Sequence, residues 1–128
     1  MTEKNYQLLE HCMHRCMSDS AHDKEHVYRV LYNALQIARE EEGVNYDVLI
    51  AACLLHDIGR KAQFADPSVC HAQAGAQMAW AFLRENGFSA EFADRVRHWN
   101  YIERAEHKLT ELDRLLEEAV ANAEIIDL

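Results

Sequence analysis

The run of apolar residues from Val48 to Leu55 constrains the fold of this chain more than any other feature. The run ends abruptly at the polar pair His56-Asp57, and the turn-forming Gly59 follows. A run of this length fits a helix that is buried on most sides rather than along one stripe. An imidazole and a carboxylate at the end of such a helix are costly to bury unless something compensates both of them. A divalent metal ion would do so, because both groups are good ligands for Mn, Fe, Co or Zn; the simpler alternative is an Asp hydrogen-bonded to its neighbouring His.

The composition is that of one small helical domain spanning residues 1–128. Hydrophobic residues make up 49% of the chain, and a single Pro and four Gly leave little room for a turn-rich β architecture. The formal net charge of −9 argues against non-specific binding to nucleic acid or to an anionic membrane surface. A negatively charged substrate would therefore need a local source of positive charge, and metal ions are the obvious one.

The sequence also predicts where the protein works. No stretch approaches the roughly 18 consecutive apolar residues of a membrane span, and the first five residues lack the basic-then-apolar pattern of a signal peptide. Four cysteines without secretory features indicate reduced thiols in a cytoplasmic protein. Cys12 and Cys16 lack the short Cys-x-x-Cys spacing of a zinc site, so we expect them to be ordinary helix residues.

Helical periodicity and capping residues predict an all-α fold of six helices, and no strand pattern competes. The predicted helices cover about residues 3–17; Ser20 or Asp23 to Glu42; Asn45 or Asp47 through His56-Asp57; Asp66-Pro67 to Asn86-Gly87; Ser89 to Arg104; and Thr110 to the end.

Four of the eight histidines fall at comparable places in successive helices: His26, His56, His71 and His98. Taken singly, His26 on an inward stripe reads as an ordinary core residue. His71 is followed at i+4 by Gly75, a small residue that either leaves room for close approach of a ligand or merely permits helix packing. Each histidine would independently need a buried partner, and one shared metal site would supply all of them.

Two motifs carry a resemblance to a known family. The pattern Asp23-x-x-His26-x-x-Arg29-Val30, followed by the stretch Leu54-Leu55-His56-Asp57-Ile58-Gly59, resembles the HD-domain superfamily of metal-dependent phosphohydrolases. It is most similar to the small stand-alone members with the His-Asp-Ile-Gly signature, and the similarity extends from His22 to the C-terminus. The resemblance implies an HD-domain helical bundle.

The same resemblance implies a ligand set for one or two divalent ions, with Mn, Fe, Mg, Co, Ni and Zn as candidates. His26, His56 and Asp57 match the first three ligands of the family. Some relatives, including the symmetrical dinucleoside-tetraphosphate hydrolases, add two further histidines, which His71 and His98 resemble.

The last motif departs from the family pattern. Relatives usually carry Ala-Asp on the final helix, whereas this chain reads Ala123-Glu124 at that place. Glu124 therefore matches the last ligand, with a side chain longer by one methylene. Asp127, one helical turn further on, is the rival candidate, and Asn122 is a third.

A site of this kind implies hydrolysis of a phosphate ester. The metal would activate a water for attack on phosphorus, with Asp57 at the centre of the site. Arg60 and Lys61, directly after the motif, are predicted to bind a substrate phosphate; solvated loop charges are the alternative. We expect a metal-dependent phosphohydrolase acting on a nucleotide or another small phosphorylated metabolite. The alternatives are a non-catalytic protein that binds a metal or a nucleotide, and a di-iron oxygenase.

Overall fold

The structure, a computed structural model, describes residues 1–17, 21–59, 71–101 and 111–127, and the side chains within 1–17, 24–59, 74–98 and 114–122. These ranges contain six α-helices and no strand, which confirms the predicted all-α class. The helices are α1 (Glu3–Cys16), α2 (Ala21–Ala38), α3 (Tyr46–Leu55), α4 (His71–Glu85), α5 (Ala90–Tyr101) and α6 (Glu111–Asp127).

Helix α3 lies at the centre of the bundle and packs against α1, α2, α5 and α6. Asn45 caps its start by accepting a hydrogen bond from the backbone N–H of Val48 at 3.2 Å. From Val48 to Leu55 every residue except Ile50 is buried, as the apolar run predicts. Burying each large side chain, such as Leu49 or Leu54, stabilises the fold by about 1.5–3 kcal/mol. The position of the turn after α3 is therefore fixed by the most deeply buried helix.

Helices α2 and α6 run in opposite directions beside α3. The hydroxyl of Tyr46, at the start of α3, donates to the carbonyl oxygen of Ala38, at the end of α2, at 3.3 Å. Arg114, near the start of α6, pairs with Glu41 just beyond α2 at 2.6 Å. Helix α2 is thus antiparallel to α3, and α6 runs back along α2 towards the start of that helix.

Helix α5 begins at the same end of the bundle as α3. Asp47, at the start of α3, lines a shallow cavity together with Ser89 and Phe92, at the start of α5. The backbone N–H of Phe92 donates to the Ser89 hydroxyl at 3.1 Å, which caps α5. The ends of α3 and α5 and the start of α2 therefore meet at the opposite end of the bundle, which we call the His-Asp end.

The predicted helix boundaries hold in part. Helix α4 ends as predicted at Asn86-Gly87: Gly87 has a φ of 87°, and the N–H of Phe88 donates to the Leu83 carbonyl at 3.0 Å, as in a Schellman motif. The predicted end of α2 at Glu42 is wrong, because the helix stops at Ala38. The predicted boundaries at Asp66-Pro67, Arg104 and Thr110 lie outside the described residues.

None of the described helices combines the length and the apolar character that crossing a bilayer requires. The cytoplasmic location expected from the sequence stays a prediction.

Candidate metal centre

His56 and Asp57 lie in the turn directly after α3, where they are 8% and 6% exposed. His56 takes the C-cap position of α3 with helical backbone angles, so the pair follows the helix rather than lying inside it. The carbonyl groups of the last helical turn have no partner within the helix. His56 uses one of them: its Nδ1 lies 2.7 Å from the carbonyl oxygen of Cys53.

That hydrogen bond determines which nitrogen of the imidazole is available to a metal. A carbonyl oxygen can only accept, so the Nδ1 of His56 carries the proton and donates it. In the neutral ring the lone pair is then on Nε2. Neutral histidine is the form that binds a metal, through the nitrogen that carries the lone pair. The thiol of Cys53 itself is fully buried, and burial raises its pKa, so it stays protonated.

His26 approaches the same carboxylate from α2. The Nε2 of His56 lies 3.4 Å from Asp57 Oδ2, and the Nε2 of His26 lies 3.9 Å from that same oxygen. The two imidazole rings have their centroids 5.7 Å apart. One ligand atom from each residue can be chosen so that all three lie within 4.8 Å of one another. This His26–His56–Asp57 group is the only such group of three or more among the described side chains.

The donor chemistry of the group fits a divalent metal ion. The lone pair of a neutral His56 and the carboxylate oxygen of Asp57 are both electron-rich, and they face each other across 3.4 Å. Such atoms repel unless a cation or an additional proton lies between them. Ligand atoms that share a transition metal at about 2.1 Å lie roughly 3–3.5 Å apart. Two imidazoles and a carboxylate are also a common ligand set for such ions.

Helix α4 packs against the turn that carries His56 and Asp57. A Cβ atom built on Gly75 would lie 3.1 Å from the backbone nitrogen of Gly59 and 3.5 Å from its Cα. Of the two interpretations of Gly75 that the sequence left open, the close approach is therefore helix packing against the His-Asp turn. His71 is the first residue of α4, one helical turn before Gly75, and its side chain lies outside the described part.

The structure does not show the remaining predicted site residues next to the His26–His56–Asp57 group, because most of their side chains lie outside the described part. His98 lies in the last turn of α5, is exposed, and is not a member of the His26–His56–Asp57 group. Glu124 and Asp127 belong to the end of α6, with side chains outside the described part, whereas the Asn122 side chain is exposed. Arg60 and Lys61 lie outside the described residues. These assignments stay predictions.

Two features of the centre were missed from the sequence. The hydrogen bond from His56 to the Cys53 carbonyl had a detectable signal, because a polar residue just past a helix end can reach the unpaired carbonyl three residues earlier. The contact between Gly75 and Gly59 had none, since it joins residues far apart in the chain.

Comparisons with known proteins identify the family of the chain. The family model of the HD domain matches residues 24–126, so the chain belongs to the HD domain family. Among solved structures it is similar to a predicted HD superfamily hydrolase from an uncultured Thermotogales bacterium, with 29% sequence identity and a TM-score of 0.73. The match covers 92% of this chain and 72% of that protein. A search of curated proteins gives no match. The resemblance inferred from the two motifs is confirmed.

Proposed function

We propose that the protein is a metal-dependent phosphohydrolase that acts on a nucleotide or another small phosphorylated metabolite. The observation that carries the proposal is that the Nε2 atoms of His56 and His26 lie 3.4 and 3.9 Å from the same oxygen of Asp57, at the buried His-Asp end. Membership of the HD domain family and the similarity to a predicted HD superfamily hydrolase support the reaction class.

His26, His56 and Asp57 would hold the metal. When bound, a divalent ion would supply an activated water and a Lewis acid for the phosphoryl oxygens. The chain contributes the preorganisation: the Cys53 carbonyl keeps His56 in the tautomer with Nε2 towards Asp57, and the buried turn keeps bulk water from screening the carboxylate charge.

Glu124 is proposed as the ligand from α6. Leu116 and Val120 are buried at 3% and 8% exposure, and Glu124 is the next residue in the same helical register. Helix α6 also runs towards the start of α2, where His26 lies. Asn122 is two residues after Val120, off this register, and its side chain is exposed, which favours Glu124 or Asp127 over it.

The residues proposed to bind the substrate and a second metal ion are supported by the sequence alone. Arg60 and Lys61 directly follow Gly59 and are proposed to bind the substrate phosphate, since a chain of net charge −9 needs local positive charge there. His71 and His98 are proposed as residues that would help to hold a second ion.

The test combines metal analysis with a phosphatase assay. Wild type, Asp57→Ala, Glu124→Ala and the control Asp47→Ala would be loaded with Mn²⁺, analysed for bound metal and assayed on nucleotides and small phosphoesters. Asp47 is a suitable control because it is on α3 too, at the other end, where it pairs with the amino group of Met1 at 2.7 Å. We expect near-stoichiometric metal and activity in wild type and Asp47→Ala, and loss of both in Asp57→Ala.

The other outcomes separate the alternatives. Loss of metal in Glu124→Ala identifies the glutamate as the fourth ligand. Metal bound without turnover on any phosphoester supports a non-catalytic binding protein instead, a reading that the Glu-for-Asp exchange favours. A wild type that takes up neither Mn, Fe nor Zn contradicts the proposal.

A further inference from the structure

Gly75 lies where α4 packs against the turn that carries His56 and Asp57. It is buried, and the positions that follow it on the same face of α4, Ala76, Ala79 and Leu83, are at most 2% exposed. A Cβ at Gly75 would lie 3.1 Å from Gly59 N, 3.5 Å from Gly59 Cα and 3.9 Å from Cγ1 of Ile58. Only the first of these contacts is closer than ordinary van der Waals packing.

The atom that such a Cβ meets belongs to backbone and cannot rotate away. The turn would have to move by a few tenths of an ångström, or α4 would have to shift outwards. The other side of the turn is continuous with α3, whose residues are almost all buried, so the turn has little freedom to move as a whole. The strain would therefore distort the backbone within the turn. This distortion would reach Asp57, because Gly59 is only two residues away from it.

The metal centre is sensitive to a displacement of this size. His56 and Asp57 come from the turn, whereas His26 comes from α2, which takes no part in the contact between Gly75 and Gly59. A shift of the turn thus moves two ligands relative to the third. Functional sites hold their side chains within about half an ångström of the productive geometry, and a shift of a few tenths of an ångström takes up much of that tolerance.

We propose that Gly75 is a positioning residue of the metal centre: the bare backbone of α4 sets the place of the His56–Gly59 turn and thereby the arrangement of its two ligands relative to His26. The catalytic part of this role rests on the proposed function, but the metal-binding part does not require turnover. The competing interpretation is that Gly75 serves helix packing alone.

The experiment compares Gly75→Ala with Gly87→Ala. Gly87 is a matched control because it follows the same helix, has a φ of 87°, and would place its Cβ with nothing within 4 Å. Alanine at Gly87 therefore strains the backbone and lowers stability without touching the His-Asp turn. For each protein, Co²⁺ affinity is measured by competition with a chelating dye, the visible spectrum of bound Co²⁺ is recorded, and urea unfolding is followed without metal.

We expect Gly75→Ala to bind Co²⁺ roughly 10–100-fold more weakly, because substitution of residues that orient metal ligands usually has an effect of this size. The visible spectrum of the bound Co²⁺ should also change. Gly87→Ala should be less stable but keep wild-type affinity and spectrum. Wild-type affinity and spectrum in Gly75→Ala, or an equal loss of affinity in both variants, would overturn the proposal.

A Gly75→Ala chain that does not fold without metal would be refolded at saturating Co²⁺. An altered spectrum in the recovered protein supports the positioning role, whereas a wild-type spectrum, or no recovery at all, contradicts it. The proposed function fails separately: a wild type that binds Co²⁺ but hydrolyses no phosphoester refutes the hydrolase and leaves the role of Gly75 intact. A wild type that binds no metal refutes both.

Discussion

Two clusters among the described side chains contain both a histidine and an acidic residue, and they differ in the direction of their hydrogen bonds. The outer cluster joins α1 to α2 through His14, Tyr28 and Glu10. The inner cluster is the His26–His56–Asp57 group at the His-Asp end. Both bring an imidazole nitrogen close to an oxygen, so distance alone does not tell which of them is a metal site.

In the outer cluster every contact joins a donor to an acceptor. The Tyr28 hydroxyl donates to Glu10 Oε2 at 2.6 Å, which uses its only hydrogen. Its 2.9 Å contact with His14 Nε2 must then be one in which the imidazole donates. Burial, followed by the hydrogen bond to Glu10, raises the pKa of Tyr28 above its usual value. This cluster is complete without a cation.

In the inner cluster the donor of His56 points the other way, to the Cys53 carbonyl. With Nδ1 used in this way, the Nε2 of His56 lies towards Asp57, 3.4 Å from its Oδ2. The comparison therefore teaches that the direction of the hydrogen bonds, rather than the proximity of His and acid, distinguishes a candidate metal site from a structural network.

The largest expected effect comes from Asp57→Asn, which turns the inner cluster into one like the outer. The new amide can donate to His56 Nε2, so the metal-free protein should be as stable as wild type or more stable by about 1 kcal/mol. Metal binding should fall by more than about 100-fold, since a charged ligand is lost. Urea unfolding in EDTA and in excess Mn²⁺ measures both effects. A metal-free variant much less stable than wild type would mean that His56 and Asp57 attract each other without a metal.

An intermediate effect is expected from Tyr28→Phe, which breaks the outer cluster. Loss of a hydrogen bond to a charged group should cost about 1–2 kcal/mol and leave metal affinity unchanged. Because folding raises the pKa of Tyr28, its contribution to stability is fully present below about pH 10, the usual tyrosine value, and is lost as the pH rises further. Urea unfolding from pH 8 to 11 should show this loss in wild type and a smaller one in Tyr28→Phe. The control is Tyr32→Phe, because Tyr32 is 63% exposed; equal behaviour of the two variants would remove the role given to the outer cluster.

The smallest effect is expected from His14→Gln. The glutamine amide can still donate to Tyr28, and the site is exposed, so stability should change by less than about 0.5 kcal/mol. The same exchange at His26 should instead abolish tight metal binding. Calorimetric titration with Mn²⁺ compares the two variants directly, and a similar loss of affinity in both would show that the two clusters do not differ in function.

Much of the fold was predictable because the pattern of apolar residues along the chain agrees with the burial of those residues in the structure. The apolar run from Val48 to Leu55 can only be satisfied by a helix surrounded on most sides, and α3 is such a helix. The end of α2 was not predictable in the same way, although Gly43 is a clear stop signal with a φ of 75°. The helix ends earlier because the N–H groups of Glu40 and Glu41 bond to carbonyls three residues back, and Tyr46 binds the Ala38 carbonyl, a tertiary contact that no local pattern encodes.

The candidate metal centre could likewise be predicted from the sequence only in part. His56 and Asp57 are adjacent in the chain at the end of a buried helix, and His26 shares a motif with Arg29, so sequence reasoning found all three members of the group. Which nitrogen of His56 faces Asp57 depends on the rotation of one ring and could not be read from the sequence. The contact of Gly75 with Gly59 depends on how α4 docks, which the spacing of residues within α4 does not determine.

The central position of α3 has a consequence for hydrogen exchange. Amide hydrogens on a helix covered by four neighbours exchange with solvent only when the whole molecule opens, so those of α3 should be among the slowest in the protein. The His-Asp turn is attached directly to that element. A metal bound there stabilises the folded state as a whole by mass action, and its loading should therefore slow exchange along α3, well away from the ligands themselves.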